Sequence, residues 1–321
     1  MNNRIHVAVA VIVNQANEVC ISLRHKNAHQ GGLWEFPGGK LESEENIETA
    51  LSREIKEELD LEIIDSRPLI TIRYNYPDRQ VCLHVRKVLN FSGVAKGVEG
   101  QQIQWVPIEK LVEYDFPKAN APIINALQLP EKYLITGGFY NAGDFFNKLN
   151  AALSLGIKLI QLRLKGNHLD KIKDVNSFIS SVCLSCKQSN AKVLINLPTD
   201  LYDKLDLDGL EFAGIHADSK TLMELVSRPE CLLFSASCHS KIELMKAEKL
   251  QADFVVLSPV KETSSHPGAK LLGWQQFESL VDDVSIPVYA LGGVTSDDLE
   301  DAWLHGGQGI AAISALWDAE K

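Results

Sequence analysis

The sequence predicts an α/β protein of two consecutive domains, the second of them a (β/α)8 barrel. Its 321 residues exceed the usual size of a single domain. A proline that stops helices lies in the segment 128–132, after which the spacing of apolar runs changes. Beyond it, eight short apolar runs alternate with helical stretches, and eight parallel strands close such a barrel. We therefore predict domains at residues 1–129 and 133–321. An open, doubly wound sheet is the alternative for the second.

The first domain combines strand patterns with two helical segments. Alternating apolar and β-branched residues predict strands, and a period near 3.6 residues predicts helices. The predicted strands are 5–13, 19–23, 69–74, 81–89 and 103–106, and the predicted helices are 46–59 and 121–127. A glycine-rich loop precedes the first helix.

The eight apolar runs of the second domain predict its barrel strands. They are residues 133–136, 159–163, 193–196, 209–216, 232–236, 254–258, 288–291 and 309–314. About 190 residues is near the lower limit for a complete barrel, so its helices must be short.

Composition restricts the classes of function. The net charge of −10 lacks the basic footprint of a protein that binds duplex nucleic acid. No apolar run is long enough to span a bilayer, and the N-terminus does not resemble a signal peptide. Cys183 and Cys186 form a lone C-x-x-C in a helical stretch, where core packing is favoured over zinc binding. We therefore expect a reduced, cytoplasmic protein that is not attached to a membrane.

Residues 39–61 carry a spaced acidic pattern that predicts a metal site. Five residues separate Gly39 from Glu45, and seven more lead to Arg53-Glu54-Ile55-Lys56-Glu57-Glu58-Leu59. On a helix, Glu54 and Glu58 share the side of the apolar residues, with Glu57 at its edge, whereas Glu45 falls on the solvated side. Buried carboxylates cost several kcal/mol unless they are compensated. A divalent cation, Mg²⁺ or alternatively Mn²⁺, resolves that cost, and Arg53 can orient one carboxylate.

This pattern resembles the Nudix box of Nudix hydrolases, whose fold is an α/β/α sandwich with a mixed sheet. Further segments at 34–40, 76–79, 98–101 and 115–120 resemble the MutT-type 8-oxo-dGTP diphosphatases, so the resemblance covers residues 4–128. It implies a set of residues that hold the metals and the attacking water, with Arg53 beside them: Gly39, Glu54, Glu57, Glu58 and Glu99. It also implies nucleotide-binding roles for Arg24, Phe36, Asp78, Arg79 and Asn120.

Two positions in this part of the chain need comment. The resemblance implies that Asn120 reads the oxidised guanine, and a helix N-cap before Ala121 is its structural alternative. The two roles could coexist. Asp60 stands where the family has a helix-ending glycine. Because Asp tolerates the left-handed conformation better than most residues, we expect a small loss of stability and no loss of activity.

Residues 133–319 resemble the thiamine phosphate synthase and TenI family of compact barrels. The resemblance is carried by segments 156–165, 236–239, 258–260, 267–273, 286–293 and 309–314. Their polar residues follow predicted strands, where barrels build their sites, and Gly292, Gly293 and Ser314 are interpreted as a phosphate cradle. The other candidates for a phosphorylated ligand are Gln161, Arg163, Lys165, Asn196, Ser237 and His239.

The second domain departs from the synthase pattern at acidic positions. Leu197 stands where one magnesium carboxylate is expected, and Thr221 stands at the second, with Asp218 offset by three residues. His266 replaces an expected lysine. A synthase that displaces diphosphate needs a metal to stabilise the leaving group, so we expect no thiamine phosphate synthesis. A metal-free reaction with His239 as the acid or base, and a domain that only binds, both stay open.

The sequence therefore predicts an enzyme, a magnesium-dependent 8-oxo-dGTP diphosphatase. The resemblance implies a nucleoside triphosphate as substrate, 8-oxo-dGMP and pyrophosphate as products, and a role in nucleotide-pool sanitation in DNA replication and repair. One alternative is that both domains serve thiamine metabolism and the Nudix domain cleaves a thiamine-related diphosphate. Another is that the barrel is a sensor or docking module for a phosphorylated ligand. The sequence makes no prediction of oligomeric state.

Overall fold

The computed structural model describes residues 4–27, 29–198, 211–263, 268 and 270–318. The chain divides into two compact units. The first comprises Met1–Leu129 and Val284–Pro287, and the second comprises Pro130–Asp283 and Val288–Lys321. Among the described helices, none has the length and apolar character needed to cross a membrane.

The first unit contains two small sheets and two helices. Its strands are β1 (Ile5–Ile12), β2 (Glu18–Leu23), β3 (Trp34–Glu35), β4 (Gly38–Lys40), β5 (Glu62–Asn75), β6 (Gln80–Ser92) and β7 (Ile103–Pro107). The helices are α1 (Ile47–Leu59) and α2 (Ala121–Gln128), with 3-10 turns at Ile108–Glu113 and Lys118–Asn120. One sheet has the order β4-β1-β6-β5 and is mixed, because β1 and β6 run parallel; the other has the order β3-β2-β7. The fold class predicted for this unit is confirmed.

Two apolar layers hold α1 and α2 against β1. Ala8, Ala10 and Ile12 pack with the buried face of α1, whereas Val9 and Val11 pack with residues of α2. The alternation along β1 therefore serves both layers, because successive side chains of a strand point to opposite faces.

The boundaries of α1 follow from its flanking residues. The Asn46 side chain accepts a hydrogen bond from the Thr49 backbone N–H at 2.8 Å, which satisfies one unpaired donor of the first turn. Asp60 ends the helix with φ of 56° and ψ of 33°, the left-handed conformation expected at this position. Its carboxylate lies 2.7 Å from Lys56 Nζ and 2.8 Å from Lys96 Nζ. These two ammonium groups hold the pKa of Asp60 down, to about 2.

The hairpin of β5 and β6 is longer than the sequence predicts. Its register shifts at three places, between Ile63 and Asp65, between Asp65 and Ser66, and between Pro68 and Ile70. Bulges interrupt the alternation of apolar and polar residues on which a strand prediction depends, and Pro68 argues against a strand interior. The predictions at 69–74 and 81–89 therefore cover only parts of these strands.

Eight parallel strands close the second unit into a barrel, which confirms its predicted fold and excludes the open sheet. They are β8 (Lys132–Ile135), β9 (Leu159–Arg163), β10 (Lys192–Asn196), β11 (Gly214–Ala217), β12 (Leu233–Cys238), β13 (Phe254–Leu257), β14 (Val288–Leu291) and β15 (Gly309–Ala312). Pairing of β15 with β8, with Ala311 opposite Tyr133, completes the ring. Residues 209–210 of the predicted fourth strand lie outside the described residues.

Short helices surround this barrel, as its length requires. In the described part of the chain they are α3 (Ala142–Ser154), α4 (Val175–Gln188), α5 (Ser219–Glu224), α6 (Lys241–Lys249), α7 (Gly273–Val281), α8 (Leu299–Leu304) and α9 (Ser314–Trp317). Cys183 and Cys186 are buried in α4, within the layer between helices and strands. Burial raises the pKa of the Cys183 thiol to about 11 and that of Cys186 to about 12. Both thiols therefore stay protonated at neutral pH and act as core residues.

Candidate active site and barrel cavity

Acidic side chains line one edge of α1, beside its buried stripe. The buried residues of the helix are Ala50, Leu51, Ile55 and Leu59. Glu54 and Glu58 are half-buried at the border of that stripe, and Glu57 is exposed. The two half-buried carboxylates lie one helical turn apart, so they project in the same direction.

Two glycines of β4, the strand that precedes α1, lie against these carboxylates. A Cβ atom added to Gly39 would overlap the Glu54 carboxylate, so a larger residue would force that carboxylate out of its present position. Gly38, whose φ is 145°, donates its backbone N–H to Glu58 Oε2 at 3.2 Å. The glycine pair therefore brings β4 close enough to contact both acids.

Glu58 carries an electrostatic cost in the absence of a cation. Burial raises the pKa of this carboxyl to about 7, against the lowering effect of the Gly38 hydrogen bond, and the charges of Glu54 and Glu99 raise it further. Desolvation and neighbouring negative charge both disfavour the ionised form. A cation at this edge would relieve both effects.

Arg53 organises the same edge from the other side. Its guanidinium donates to both oxygens of Glu45, with Nε–Oε1 at 3.0 Å and Nη2–Oε2 at 2.8 Å. Its Nη1 lies 2.9 Å from Glu54 Oε1 and 3.3 Å from Glu57 Oε2. Arg53 thus holds Glu54 and Glu57 in orientation while Glu45 anchors the arginine.

The position of Glu45 corrects a prediction. Its side chain is only 9% exposed, whereas helical geometry placed it on the solvated side. The residue precedes the first turn of α1, so helical periodicity does not apply to it. Its fixed spacing before Arg53 in the acidic pattern was the signal that could have revealed this bidentate contact.

Glu99 reaches this edge through a loop that packs against the end of α1. Val98 donates its backbone N–H to the Glu58 carbonyl oxygen at 3.0 Å, and Gln101 Nε2 donates to the same oxygen at 2.9 Å. These bonds hold the exposed Glu99 close enough for its charge to act on Glu58. The structure therefore places Glu54, Glu57 and Glu58 along one edge of α1, with Glu99 near enough for its charge to act on Glu58. Their hard carboxylate oxygens, with an acid that burial disfavours, fit Mg²⁺ or Mn²⁺.

Arg24 connects this edge with the region assigned to the nucleotide. Its guanidinium forms an ion pair with Glu35, and its Nε donates to the His29 carbonyl oxygen at 2.9 Å. Burial lowers the pKa of Arg24, and the charges of Tyr76 and Glu58 oppose that effect. Arg24 is therefore within electrostatic reach of the carboxylate edge. Tyr76, to which no site role was assigned from the sequence, lies beside it.

The other predicted nucleotide residues lie in different surroundings. Phe36 is buried, 3% exposed, and stacks on Phe116 with ring centroids 5.2 Å apart, so it belongs to the core. Asp78 and Arg79 form an exposed ion pair, with Nη2 and Oδ2 2.8 Å apart, in the turn between β5 and β6.

Asn120 is buried, 8% exposed, and its Oδ1 has no hydrogen-bond partner in the described part of the chain. It directly precedes α2, yet its side chain makes no capping hydrogen bond. Pro122 removes one of the backbone donors that a cap would use. Asn120 therefore stands at the N-cap position of α2 without making the capping bond of the structural alternative, and its buried Oδ1 is left as an acceptor.

A cavity of about 1060 Å³ opens at the carboxyl ends of the barrel strands. All of the barrel residues predicted to bind a ligand line it: Gln161, Arg163, Lys165, Asn196, Ser237, His239, Gly292, Gly293 and Ser314. Parallel strands end at the same rim of a barrel, so residues far apart in the sequence meet there.

Asp218, the carboxylate that lies three residues before the synthase ligand position, forms an ion pair with a lysine. Lys165 Nζ forms an ion pair with Asp218, whose other oxygen accepts the Thr221 backbone N–H at 2.8 Å. Although burial raises the pKa of Asp218, these hydrogen bonds hold it at about 2. Leu197 is buried, 4% exposed. Of the two described carboxylates that line this cavity, Asp218 and Glu262, the first is therefore paired with a lysine. His266 lies outside the described residues.

Sequence reasoning missed a buried histidine behind the cavity. His216 is 1% exposed, and its Nε2 lies 2.8 Å from Ser237 Oγ while its Nδ1 lies 3.0 Å from Ser235 Oγ. Burial lowers the pKa of His216 to about 3, so the ring is neutral and orients the Ser237 hydroxyl. His239 Nδ1 lies 2.9 Å from the Ser258 carbonyl oxygen and therefore donates a hydrogen bond to it.

Both parts of the chain match known families. Residues 8–126 match the family model for the NUDIX domain, and residues 132–316 match that for thiamine monophosphate synthase. The chain belongs to both families. Its first part is a Nudix domain, and its second part is a thiamine monophosphate synthase-like barrel.

Curated relatives cover the two parts separately. The 8-oxo-dGTP diphosphatase of Escherichia coli strain K12 is 36% identical over 125 residues, which are 39% of this chain and 97% of that protein. The CTP pyrophosphohydrolase of the same organism is 31% identical over 118 residues, 37% of this chain and 87% of that protein. The putative thiamine-phosphate synthase 2 of Aquifex aeolicus is 32% identical over 188 residues, 59% of this chain and 98% of that protein.

Proposed function

We propose that the Nudix domain hydrolyses 8-oxo-dGTP to 8-oxo-dGMP and pyrophosphate with Mg²⁺ as its cofactor. The observation that carries the base specificity is the buried Asn120 Oδ1, which has no partner among the described residues. The carboxylate edge supports the reaction type. A role in nucleotide-pool sanitation follows from this substrate.

The residues of the α1 edge have different roles in the proposed hydrolysis. A metal bound there supplies positive charge to the phosphate oxygens and lowers the pKa of water. The Gly38 N–H holds the Glu58 carboxylate in place, and the absence of a side chain at Gly39 leaves room for the Glu54 carboxylate. Arg53 keeps Glu54 oriented. A carboxylate of this edge accepts the proton of the attacking water.

Asn120 can separate oxidised guanine from guanine by hydrogen bonding. Oxidation at C8 turns N7 of guanine from an acceptor into an N–H donor. A buried oxygen without a partner costs about 1–3 kcal/mol, and a donor from the base removes that cost. An acceptor at N7 does not remove it, so Asn120 Oδ1 favours the oxidised base.

Parallel assays with the full chain and Mg²⁺ test this proposal. The substrates are 8-oxo-dGTP, dGTP, CTP and thiamine diphosphate. We expect kcat/KM for 8-oxo-dGTP to exceed that for dGTP by at least about tenfold, the discrimination that one hydrogen bond of about 1.4 kcal/mol supplies. Equal rates for the two guanine nucleotides, or a preference for CTP or thiamine diphosphate, would reject it.

We also propose that the barrel binds a phosphorylated ligand without catalysing thiamine phosphate synthesis. The Lys165–Asp218 ion pair supports this proposal, because the carboxylate nearest the second ligand position of the synthase pattern is already paired with a lysine. Gly292, Gly293 and Ser314 supply small, donor-rich positions for a phosphate. Formation of thiamine phosphate from its two precursors and Mg²⁺ would contradict the proposal, and binding of phosphate by the full chain, followed by calorimetry, would support it.

A further inference from the structure

A second cluster of metal-binding side chains lies on the mixed sheet of the first unit. His6 on β1 stands opposite Cys82 on β6 in the parallel register, and His84 follows Cys82 by two residues. Residues two apart on a strand point to the same face, so Cys82 and His84 share a face of the sheet with His6. One ligand atom from each of the three lies within 4.8 Å of the other two.

We propose that His6, Cys82 and His84 form a binding site for Zn²⁺, separate from the carboxylate edge of α1. Thiolate sulfur and imidazole nitrogen suit zinc, whereas the carboxylate edge offers hard oxygens that suit Mg²⁺. The donor chemistry therefore assigns different metals to the two places. This site does not depend on which nucleotide the Nudix domain hydrolyses.

The two imidazole nitrogens need only a small adjustment to accept the ion, and the Cys82 sulfur lies within 4.8 Å of both. His6 Nδ1 and His84 Nε2 are 2.9 Å apart and share a hydrogen bond. Tetrahedral zinc with Zn–N bonds of about 2.0–2.1 Å places two nitrogens about 3.3–3.4 Å apart. A movement of about half an ångström is sufficient, and the exposed His6 can make it. Cys82 is 2% exposed, so the sheet holds the sulfur while the histidine closes on the ion.

The surrounding sheet supplies rigidity and sets the charge balance. β1 and β6 are paired from Ile5 to Ile12, and β4 and β5 cover their outer edges. Ligands on neighbouring paired strands need little ordering when a metal binds. Arg73 on β5 stands opposite Cys82 and adds a positive charge on that side. Loss of the thiol proton on zinc binding provides the compensating negative charge. Three protein ligands leave a fourth position for water.

Calorimetric titration of the full chain with Zn²⁺, in excess Mg²⁺ to occupy the carboxylate edge, tests the site. We expect one equivalent of zinc to bind, and Cys82→Ser and His84→Gln each to weaken it by at least about tenfold. His25→Gln, which removes an exposed histidine outside the cluster, should bind zinc as the unchanged protein does. Absence of a stoichiometric site, or equal affinity in Cys82→Ser, would overturn the proposal.

A cobalt titration gives a second readout that does not depend on variants of the sheet interior. Co²⁺ bound to a thiolate gives a sulfur-to-metal charge-transfer band, which we expect in the unchanged protein and in His25→Gln. The band should weaken in His6→Gln, whose exposed side chain can be removed without disturbing the core. Its absence from the unchanged protein would also overturn the proposal, even if Cys82→Ser fails to fold.

Discussion

Replacing Glu58 by glutamine should stabilise the metal-free Nudix domain while removing its activity. Glu58 is the acid of the α1 edge whose charged form burial disfavours, and its pKa lies at about 7. Glutamine has nearly the same shape and no charge. Its amide oxygen can still accept the Gly38 N–H, which lies 3.2 Å from Glu58 Oε2.

The size of this effect follows from the pKa. The ordinary value for this carboxyl is 4.5, and the rise to about 7 corresponds to about 3 kcal/mol, at roughly 1.4 kcal/mol per pKa unit. That figure is an upper limit for Glu58→Gln, because the amide NH₂ loses hydrogen bonds to water when it is buried. We expect the free energy of unfolding to rise by about 1–3 kcal/mol at pH 8.

The gain should depend on pH in a defined direction. Below pH 4.5 the carboxyl is protonated in both the folded and the unfolded state, so its ionisation does not change the free energy of unfolding. Between pH 4.5 and about 7 the folded state keeps a proton that the unfolded state has lost, so the stability of the unchanged protein falls as the pH rises. Above pH 7 the full cost is present. The advantage of Glu58→Gln is therefore largest at pH 8 and small at pH 5.

Hydrogen exchange of the full chain, resolved by peptide, measures this change within α1. The metal-free proteins are compared at pH 5 and pH 8, since a chain with two domains need not unfold in one step. Glu57→Gln is the matched control, because Glu57 is exposed and one residue away. Excess Mg²⁺ should then stabilise the unchanged protein more than Glu58→Gln. The reasoning is refuted if Glu58→Gln is no more stable at pH 8, or if its gain is equal at both pH values.

Three further substitutions test contacts of the two sites. Gly39→Ala should lower kcat about 100-fold, because the new methyl group displaces the Glu54 carboxylate; steady-state kinetics and circular dichroism measure this. Asn120→Ala should lower the preference for 8-oxo-dGTP over dGTP by about tenfold, measured as a ratio of kcat/KM. Lys165→Ala should weaken phosphate binding by the barrel at least about tenfold in calorimetry, because it removes a cation and leaves Asp218 unpaired in the cavity.

Matched controls separate these effects from general damage. Gly138→Ala adds a methyl group where no heavy atom lies within 4 Å, and should leave hydrolysis unchanged. Lys192→Ala removes an exposed lysine at the opposite end of a barrel strand, and should leave phosphate binding unchanged. Full turnover in Gly39→Ala, an unaltered base preference in Asn120→Ala or unaltered phosphate binding in Lys165→Ala would each contradict the contact concerned.

Local patterns in the sequence were sufficient for the architecture. Leu159–Arg163 and Val288–Leu291 have the predicted bounds, because a buried parallel strand is a continuous apolar run whatever its neighbours are. The left-handed Asp60 was also predictable, since the end of a helix depends on the residues next to it. Local patterns failed where bulges interrupted β5 and β6, and where helical periodicity was extended to Glu45, which precedes α1.

The sequence by itself determined the barrel and the acidic helix, because these follow from periodicity and from the order of elements. The sandwich fold of the first domain and the ligand candidates at the rim of the barrel came from the resemblance to known families. Only the tertiary structure decided their partners. Gly38 donates to Glu58 across 20 positions, Lys165 pairs with Asp218 across 53, and His6 contacts His84 across 78. Periodicity reports which side of an element is buried. It does not report which groups meet there, since that depends on strand order and on the packing of the whole domain.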